Sequence, residues 1–200
     1  MSITNLVADA EVFTANAYLV EGEVTTLVDP GSAPGVVDAI GDRVDHLDRV
    51  VLTHQHTDHV DRLDAVVETF DPAVAATAAH PHRTESIADG DDLQIGDEEY
   101  RVVATPGHAD DHVSLVGASA LFSGDVVVYA DGAFEDGSFG RTDRPGQSRE
   151  QLIDSIERLI AATPPTVEGL YPGHGPVHEG DVHAVLDRAL ERAERREPKY

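Results

Sequence analysis

The chain contains no cysteine. That absence excludes disulfides, thiolate metal ligands, iron–sulfur clusters and a cysteine nucleophile together. Any metal must be held by nitrogen and oxygen. Lysine is nearly absent too: Lys199 is the single example among 14 basic residues, and the rest are arginines. No basic stretch followed by an apolar run opens the chain over Met1–Ala10, so no signal peptide is expected there. The longest tract of small apolar residues, Ala73–Ala79, is far too short to span a bilayer. No Gly-x-Ser-x-Gly segment supplies a serine nucleophile. Neither an internal repeat nor a dividing linker is visible. The expectation is a soluble, cytoplasmic protein with one domain over residues 1–200, long enough to bury a core without a covalent staple.

Charge of one sign dominates what is present. There are 38 acidic residues and a formal net charge of −24. In dilute buffer this charge repels itself within a compact state. In molar salt, screening confines the repulsion to about 3 Å. An acidic, lysine-poor, alanine- and valine-rich chain therefore suggests a halophile. The other readings are an acidic partner-binding surface or a disordered tail, but the acids are spread along the chain, as on a solvated face. The same charge disfavours nucleic acid, weakly so at high salt.

Hydrophobic patterning predicts strands over Val12–Val20 and Val24–Asp29, joined at Glu21–Gly22–Glu23. A short helix is expected over Val36–Arg43, and a buried strand over Asp48–Thr53. Apolar residues at Val60, Leu63, Val66, Val67 and Phe70 keep a helical period. Strands follow at Val74–Ala76, Tyr100–Thr105, Val113–Val116 and Ala120–Phe122, with a helix opening at His80–Pro81–His82. Ser148–Ala162 reads as an amphipathic helix capped by Ser148, with Gln151 three residues on. A strand at Val167–Tyr171 and a helix at Asp181–Arg196 complete the order. Strands and helices recurring in this way fit an α/β fold, a four-layer αββα sandwich.

The segment Thr53–His54–Gln55–His56–Thr57–Asp58–His59 follows an apolar strand and precedes an amphipathic helix. His54 and His56, two apart in extended chain, point to one side. Asp58 and His59 stand at the turn into the helix. Three glycine-bearing strand ends offer further ligand types: Thr105–Pro106–Gly107–His108, Ser123–Gly124–Asp125 and Tyr171–Pro172–Gly173–His174–Gly175. Glycine allows sharp turns and close approach of backbone to an ion. A lone histidine or aspartate beside a glycine is ordinarily a turn residue, but four such elements together point to a metal. Neutral imidazoles and carboxylates suit zinc, with iron or manganese also compatible. The histidines at positions 46, 80, 82, 112, 178 and 183 lack that turn context and read as bland, with His178 close enough in sequence to His174 to line a pocket.

These motifs, from Asn16–Tyr18 and Val28–Asp29–Pro30–Gly31 to the Pro–Gly–His–Gly segment, resemble the metallo-β-lactamase superfamily and, within it, the glyoxalase II-like hydrolases. The resemblance implies that His54, His56 and His108 hold one divalent metal and that Asp58, His59 and His174 hold a second, with Asp125 bridging. It implies that Asp29 is a buried carboxylate supporting the ligand loop; a strand-end turn is the plainer alternative. Two cations about 3.5–4 Å apart lower the pKa of a shared water toward ~7, which supplies hydroxide for hydrolysis. Asp58 and Asp125 offset the dications and are placed to take the nucleophile's proton.

The run Gly140–Arg141–Thr142–Asp143 also resembles the persulfide dioxygenases, in which the matching arginine contacts a thiol cofactor's carboxylate. That suggests Arg141 as a substrate anchor; the plain alternative is an ion pair with Asp143 or Asp136. The resemblance to full-length glyoxalase II is to its catalytic domain, and 26 residues follow His174, so a low-molecular-weight thiol other than glutathione is compatible. The acidic stretch 129–136 reads either as a lid or as a salt-adapted surface loop. The leading expectation is a thioesterase acting on a small-molecule S-2-hydroxyacyl thiol, with neither nucleic acid nor membrane as partner. The alternatives are a mononuclear iron persulfide dioxygenase, a lactonase, phosphodiesterase or other ester hydrolase of the same fold, and a non-catalytic metal-binding protein.

Overall fold

The computed structural model describes residues 2–199 and divides into two compact units, Met1–Ile87 with Leu93–Glu99, and Ala88–Asp92 with Tyr100–Tyr200. The first unit comprises β1 (Ser2–Asn5), β2 (Tyr18–Glu21), β3 (Thr26–Val28), α1 (Val36–Gly41), β4 (Arg49–Val51), α2 (Thr57–Val60), α3 (Leu63–Phe70), β5 (Ala73–Ala76), β6 (Glu85–Ser86) and β7 (Asp92–Ile95). Its sheet runs β1-β2-β3-β4-β5-β6, antiparallel from β1 to β3 and parallel from β3 to β6. Parallel neighbours need crossovers; α1 supplies the one from β3 to β4 and the α2–α3 pair the one from β4 to β5, while residues 77–84 lead from β5 to β6 without a helix. Strands buried on both faces read as unbroken apolar runs, as Val50–Val51–Leu52 does. Leu27, Val36, Ile40, Val50, Leu63 and Val66 meet in one core.

Three local expectations differ from what forms. The strand expected from Val12 starts only at Tyr18, because the backbone before it bonds elsewhere: Ala15 N donates to Asp58 O, and Leu6 N donates to Ala17 O. The helix expected over Val60–Phe70 is interrupted, since Arg62 N donates to Gly31 O instead of continuing the first turn. His80–Pro81–His82 forms a turn rather than a helix, and Thr84 N then joins Val74 O as the chain pairs onto β5.

The second unit holds β8 (Glu98–Ala104), β9 (Val113–Val116), β10 (Ala120–Gly124), β11 (Val127–Val128), β12 (Ser138–Phe139), α4 (Arg149–Ala162), β13 (Gly169–Pro172), β14 (His178–Glu179) and α5 (Val182–Glu194). Its sheet runs β14-β13-β10-β9-β8, with β10 and β13 parallel and the other pairs antiparallel. The short β11 and β12 form a separate antiparallel pair. Both helices begin at side-chain caps: Ser148 Oγ accepts from Gln151 N, and Asp181 from Ala184 N. Their apolar faces, Leu152, Ile156 and Leu159 on α4 and Val185, Leu186 and Ala189 on α5, share one core. Among the described residues, no helix is long and apolar enough to cross a membrane.

Candidate metal centre

In the first unit the histidine-rich loop leaves the C-terminal end of β4, and its rings are oriented from below. Asp29 closes β3 in a left-handed conformation (φ 53°) with its side chain buried. The carboxylate accepts from Thr53 N at 2.8 Å, from Thr53 Oγ1 at 2.6 Å and from His59 Nδ1 at 2.8 Å. The Thr53 hydroxyl proton is thereby committed to Asp29, so His54 Nδ1, 3.2 Å from Thr53 Oγ1, is the donor in that contact. His54 and His59 therefore both carry their proton on Nδ1 and their lone pair on Nε2, the tautomer in which Nε2 can bind a metal. His54 Nε2 lies 3.1 Å from His56 Nδ1. Asp29 thus turns the chain at the end of β3 and also bonds the histidine-rich loop from a buried position.

In the second unit three ligand types stand at the ends of β8, β10 and β13. The Thr105–His108 turn is held by the start of α4: Ser148 N donates to Gly107 O, Gln147 Nε2 to His108 O, and Ser155 Oγ to Pro106 O. Gly107 sits at φ 123°, and a Cβ there would lie 2.4 Å from Leu152 N. Only glycine lets the helix seat so close. Asp125 follows a bulge in β10, where Gly124 O accepts from Gly173 N one residue before His174. The adjoining parallel strands thus deliver Asp125 and His174 side by side. His108 Nδ1 donates to Arg141 O at 3.0 Å, which turns Nε2 toward Asp125 Oδ2 at 3.3 Å. His174 Nε2 is 3.6 Å from the same oxygen.

His112 was not singled out as a site residue, yet it is buried beneath this cluster. Its Nε2 accepts from Asp125 N at 2.9 Å, which places its proton on Nδ1, 2.8 Å from Thr105 Oγ1. From there the bonds continue through Ser114 Oγ to Ser123 O. The sequence neighbourhood of His112 carries no signal beyond a nearby hydroxyl at Ser114. His178 instead stacks on Tyr129, with ring centroids 4.3 Å apart.

Ligand-type side chains thus gather in each unit by itself: His54, His56, Asp58 and His59 in the first, and His108, Asp125 and His174 in the second. The donors fit a divalent cation, because imidazole lone pairs and carboxylate oxygens facing one another repel unless a cation stands among them. Arg141, by contrast, points its guanidinium at Asp143 in a two-pronged bond, 2.9 Å on each arm. That bond holds the Asp143 carboxyl below its usual range. The acidic stretch is tied to α5, with Asp136 bonded to Arg188 and Arg192.

The sequence profile of the Metallo-beta-lactamase superfamily matches residues 10–85 and 75–174. A hydroxyacylglutathione hydrolase of Hydrogenovibrio crunogenus is 30% identical over 177 residues, covering 82% of this chain and 62% of that protein. A probable metallo-hydrolase of Streptococcus pyogenes is 33% identical over 186 residues, covering 80% of this chain and 78% of the relative. The chain thus spans less than two thirds of the length of the hydroxyacylglutathione hydrolase. Among solved structures, the protein TTHA1623 in a di-iron-bound form superposes with a TM-score of 0.70 at 26% identity, covering 94% of this chain and 98% of that one. ETHE1 from Myxococcus xanthus superposes with a TM-score of 0.75 at 23% identity, covering 99% and 92%.

Proposed function

Because the chain belongs to the metallo-β-lactamase superfamily and has its fold, we propose that it is a metal-dependent hydrolase cleaving a small-molecule thioester, an S-2-hydroxyacyl thiol. The observation that carries this reading is that nitrogen and oxygen donors cluster on strand-end loops of both units, His54, His56, Asp58 and His59 in the first and His108, Asp125 and His174 in the second. The resemblance to hydroxyacylglutathione hydrolases supports the substrate class. In the proposed centre His54, His56 and His108 would hold one divalent ion and Asp58, His59 and His174 the other, with Asp125 a ligand common to both. Bound there, two such ions would supply Lewis acidity and would make water a stronger acid near neutral pH.

The protein's own groups do the remaining work. Asp29 and the carbonyl of Arg141 fix the tautomers of His59 and His108, so their lone pairs are aimed before anything binds. His112 sets Asp125 by holding its backbone amide. Asp58 and Asp125 offset cationic charge and take up the proton of the attacking water at a carboxylate oxygen. Water adds to the thioester carbonyl, the C–S bond breaks as that proton passes from the carboxylate to the leaving sulfur, and a carboxylic acid and a thiol leave. Arg141 anchors a carboxylate on the thiol portion.

A second reading rests on Gly140–Arg141–Thr142–Asp143, the run that resembles persulfide dioxygenases. One experiment separates the two. Thiol release is measured from a panel of S-lactoyl and related thioesters, beside oxygen uptake with a thiol persulfide. Thioester cleavage without oxygen uptake is expected; oxygen uptake without thioester cleavage overturns the proposal.

A further inference from the structure

Lys199 is the chain's single lysine, and it does not lie on the solvated surface where lysines ordinarily do. Its side chain is only 5% exposed. The ammonium pairs with Asp131, donates to Phe139 O, and stands 5.1 Å from the centroid of the Phe139 ring. Arg149 covers the same ring at 4.2 Å and bonds Thr142 Oγ1. Burial pushes the Lys199 ammonium below its usual value, and Asp131 opposes that shift.

Those contacts converge on one short piece of backbone. Asp131 accepts from Ser138 Oγ and from the amides of Ala133 and Phe134, so it closes the loop onto β12. Phe139 pairs with Val127, two residues beyond Asp125. The next residue, Gly140, donates to Val126 O and packs so closely that a Cβ would lie 2.0 Å from Asp125 O. Arg141 follows, and its carbonyl accepts from His108 Nδ1. A compact ammonium with three donors spans a carboxylate and a carbonyl here.

We propose that Lys199 is a positioning residue for His108: by clamping Asp131 to Phe139 it fixes β12, and through Gly140 it fixes the Arg141 carbonyl that holds the His108 ring. The idea rests on the metal reading of that ring. It does not depend on which bond the enzyme cleaves.

The test uses Lys199→Met, which keeps the apolar stem against Phe139 and removes the ammonium. Zinc affinity is measured by chelator competition, and the His108 tautomer is read from ring nitrogen chemical shifts. Affinity is expected to fall by up to about tenfold, the low end of losses when a group orienting a ligand is removed. The His108 ring should become tautomerically mixed, and Lys199→Arg should recover part of both effects. Arg101→Ala, which deletes an exposed pair with Asp92, is the control and should change neither. A merely structural role would lower melting temperature while leaving zinc affinity and tautomer at wild-type values, and that outcome overturns the proposal. If Lys199→Met does not fold, Asp131→Asn weakens the clamp from its other end, and unchanged zinc binding there is equally decisive. Wild-type protein that binds zinc but cleaves no thioester counts against the hydrolase reading alone.

Discussion

The ring of His112 accepts a hydrogen bond from the backbone amide of Asp125 at 2.9 Å, so a buried histidine outside the ligand set governs where the proposed bridging carboxylate stands. His112→Ala leaves that amide and the Thr105 hydroxyl without their ring partner in a buried site. A loss of about 1–3 kcal/mol in stability is expected. Metal affinity should fall by roughly ten- to a hundredfold. Denaturant unfolding and chelator competition read the two effects separately.

Metal content decides the nature of the centre. Protein purified without chelator is expected to carry close to two divalent ions per chain, zinc foremost. Removing them should abolish activity, and adding zinc back should restore it. Elemental analysis giving a single iron per chain would turn the assignment toward the dioxygenase.

Asp125→Ala and His56→Ala each remove one proposed ligand from a shared centre. Both variants should lose nearly all activity while keeping wild-type circular dichroism. Near-normal turnover with normal metal content in either variant would mean that the ligand assignment is wrong.

A chain of net charge −24 with one lysine should need salt. Repulsion among carboxylates is screened as the Debye length falls from about 10 Å at 0.1 M to about 3 Å at 1 M. The melting temperature should therefore rise steeply between dilute buffer and molar potassium chloride. A flat curve removes the halophile inference and leaves the enzyme reading intact.

Arg141 is where two accounts give different numbers. As a carboxylate anchor it contributes equally to ground and transition states, so Arg141→Ala should raise KM far more than it lowers kcat. The loss of a charge-assisted bond corresponds to roughly 1.5–3 kcal/mol, about ten- to a hundredfold in kcat/KM. The effect should vanish with a thioester lacking the carboxylate. As a partner of Asp143 alone, to which it is bonded on both arms, it should leave KM unchanged.

What the sequence made legible was local. The Thr53–His59 segment and the three glycine-bearing strand ends were readable because each carries its chemistry and its turn within a few residues. Val113–Val116 and the capped helix after Ser148 formed where patterning put them. The two-residue strands β11, β12 and β14 are not readable in the sequence, since two residues offer no alternation. His112 was set aside because its own neighbourhood is ordinary; its partner Asp125 lies 13 residues away. Lys199 meets Phe139 across 60 residues, a relation that folding creates and that no sequence window contains. Asp29 stood between two readings until its oxygens could be placed against Thr53 and His59.

Position 29 also narrows what any mutational library can recover. Its backbone sits in the left-handed region (φ 53°), which glycine, asparagine and aspartate tolerate and most side chains resist. Its side chain must accept three bonds and carry the charge facing His59. Glycine meets the first demand and fails the second, glutamate does the reverse, and asparagine keeps the shape while losing the charge. Selection for metal-dependent activity from a saturated codon should therefore return aspartate almost alone, while selection for folding without metal should admit asparagine beside it.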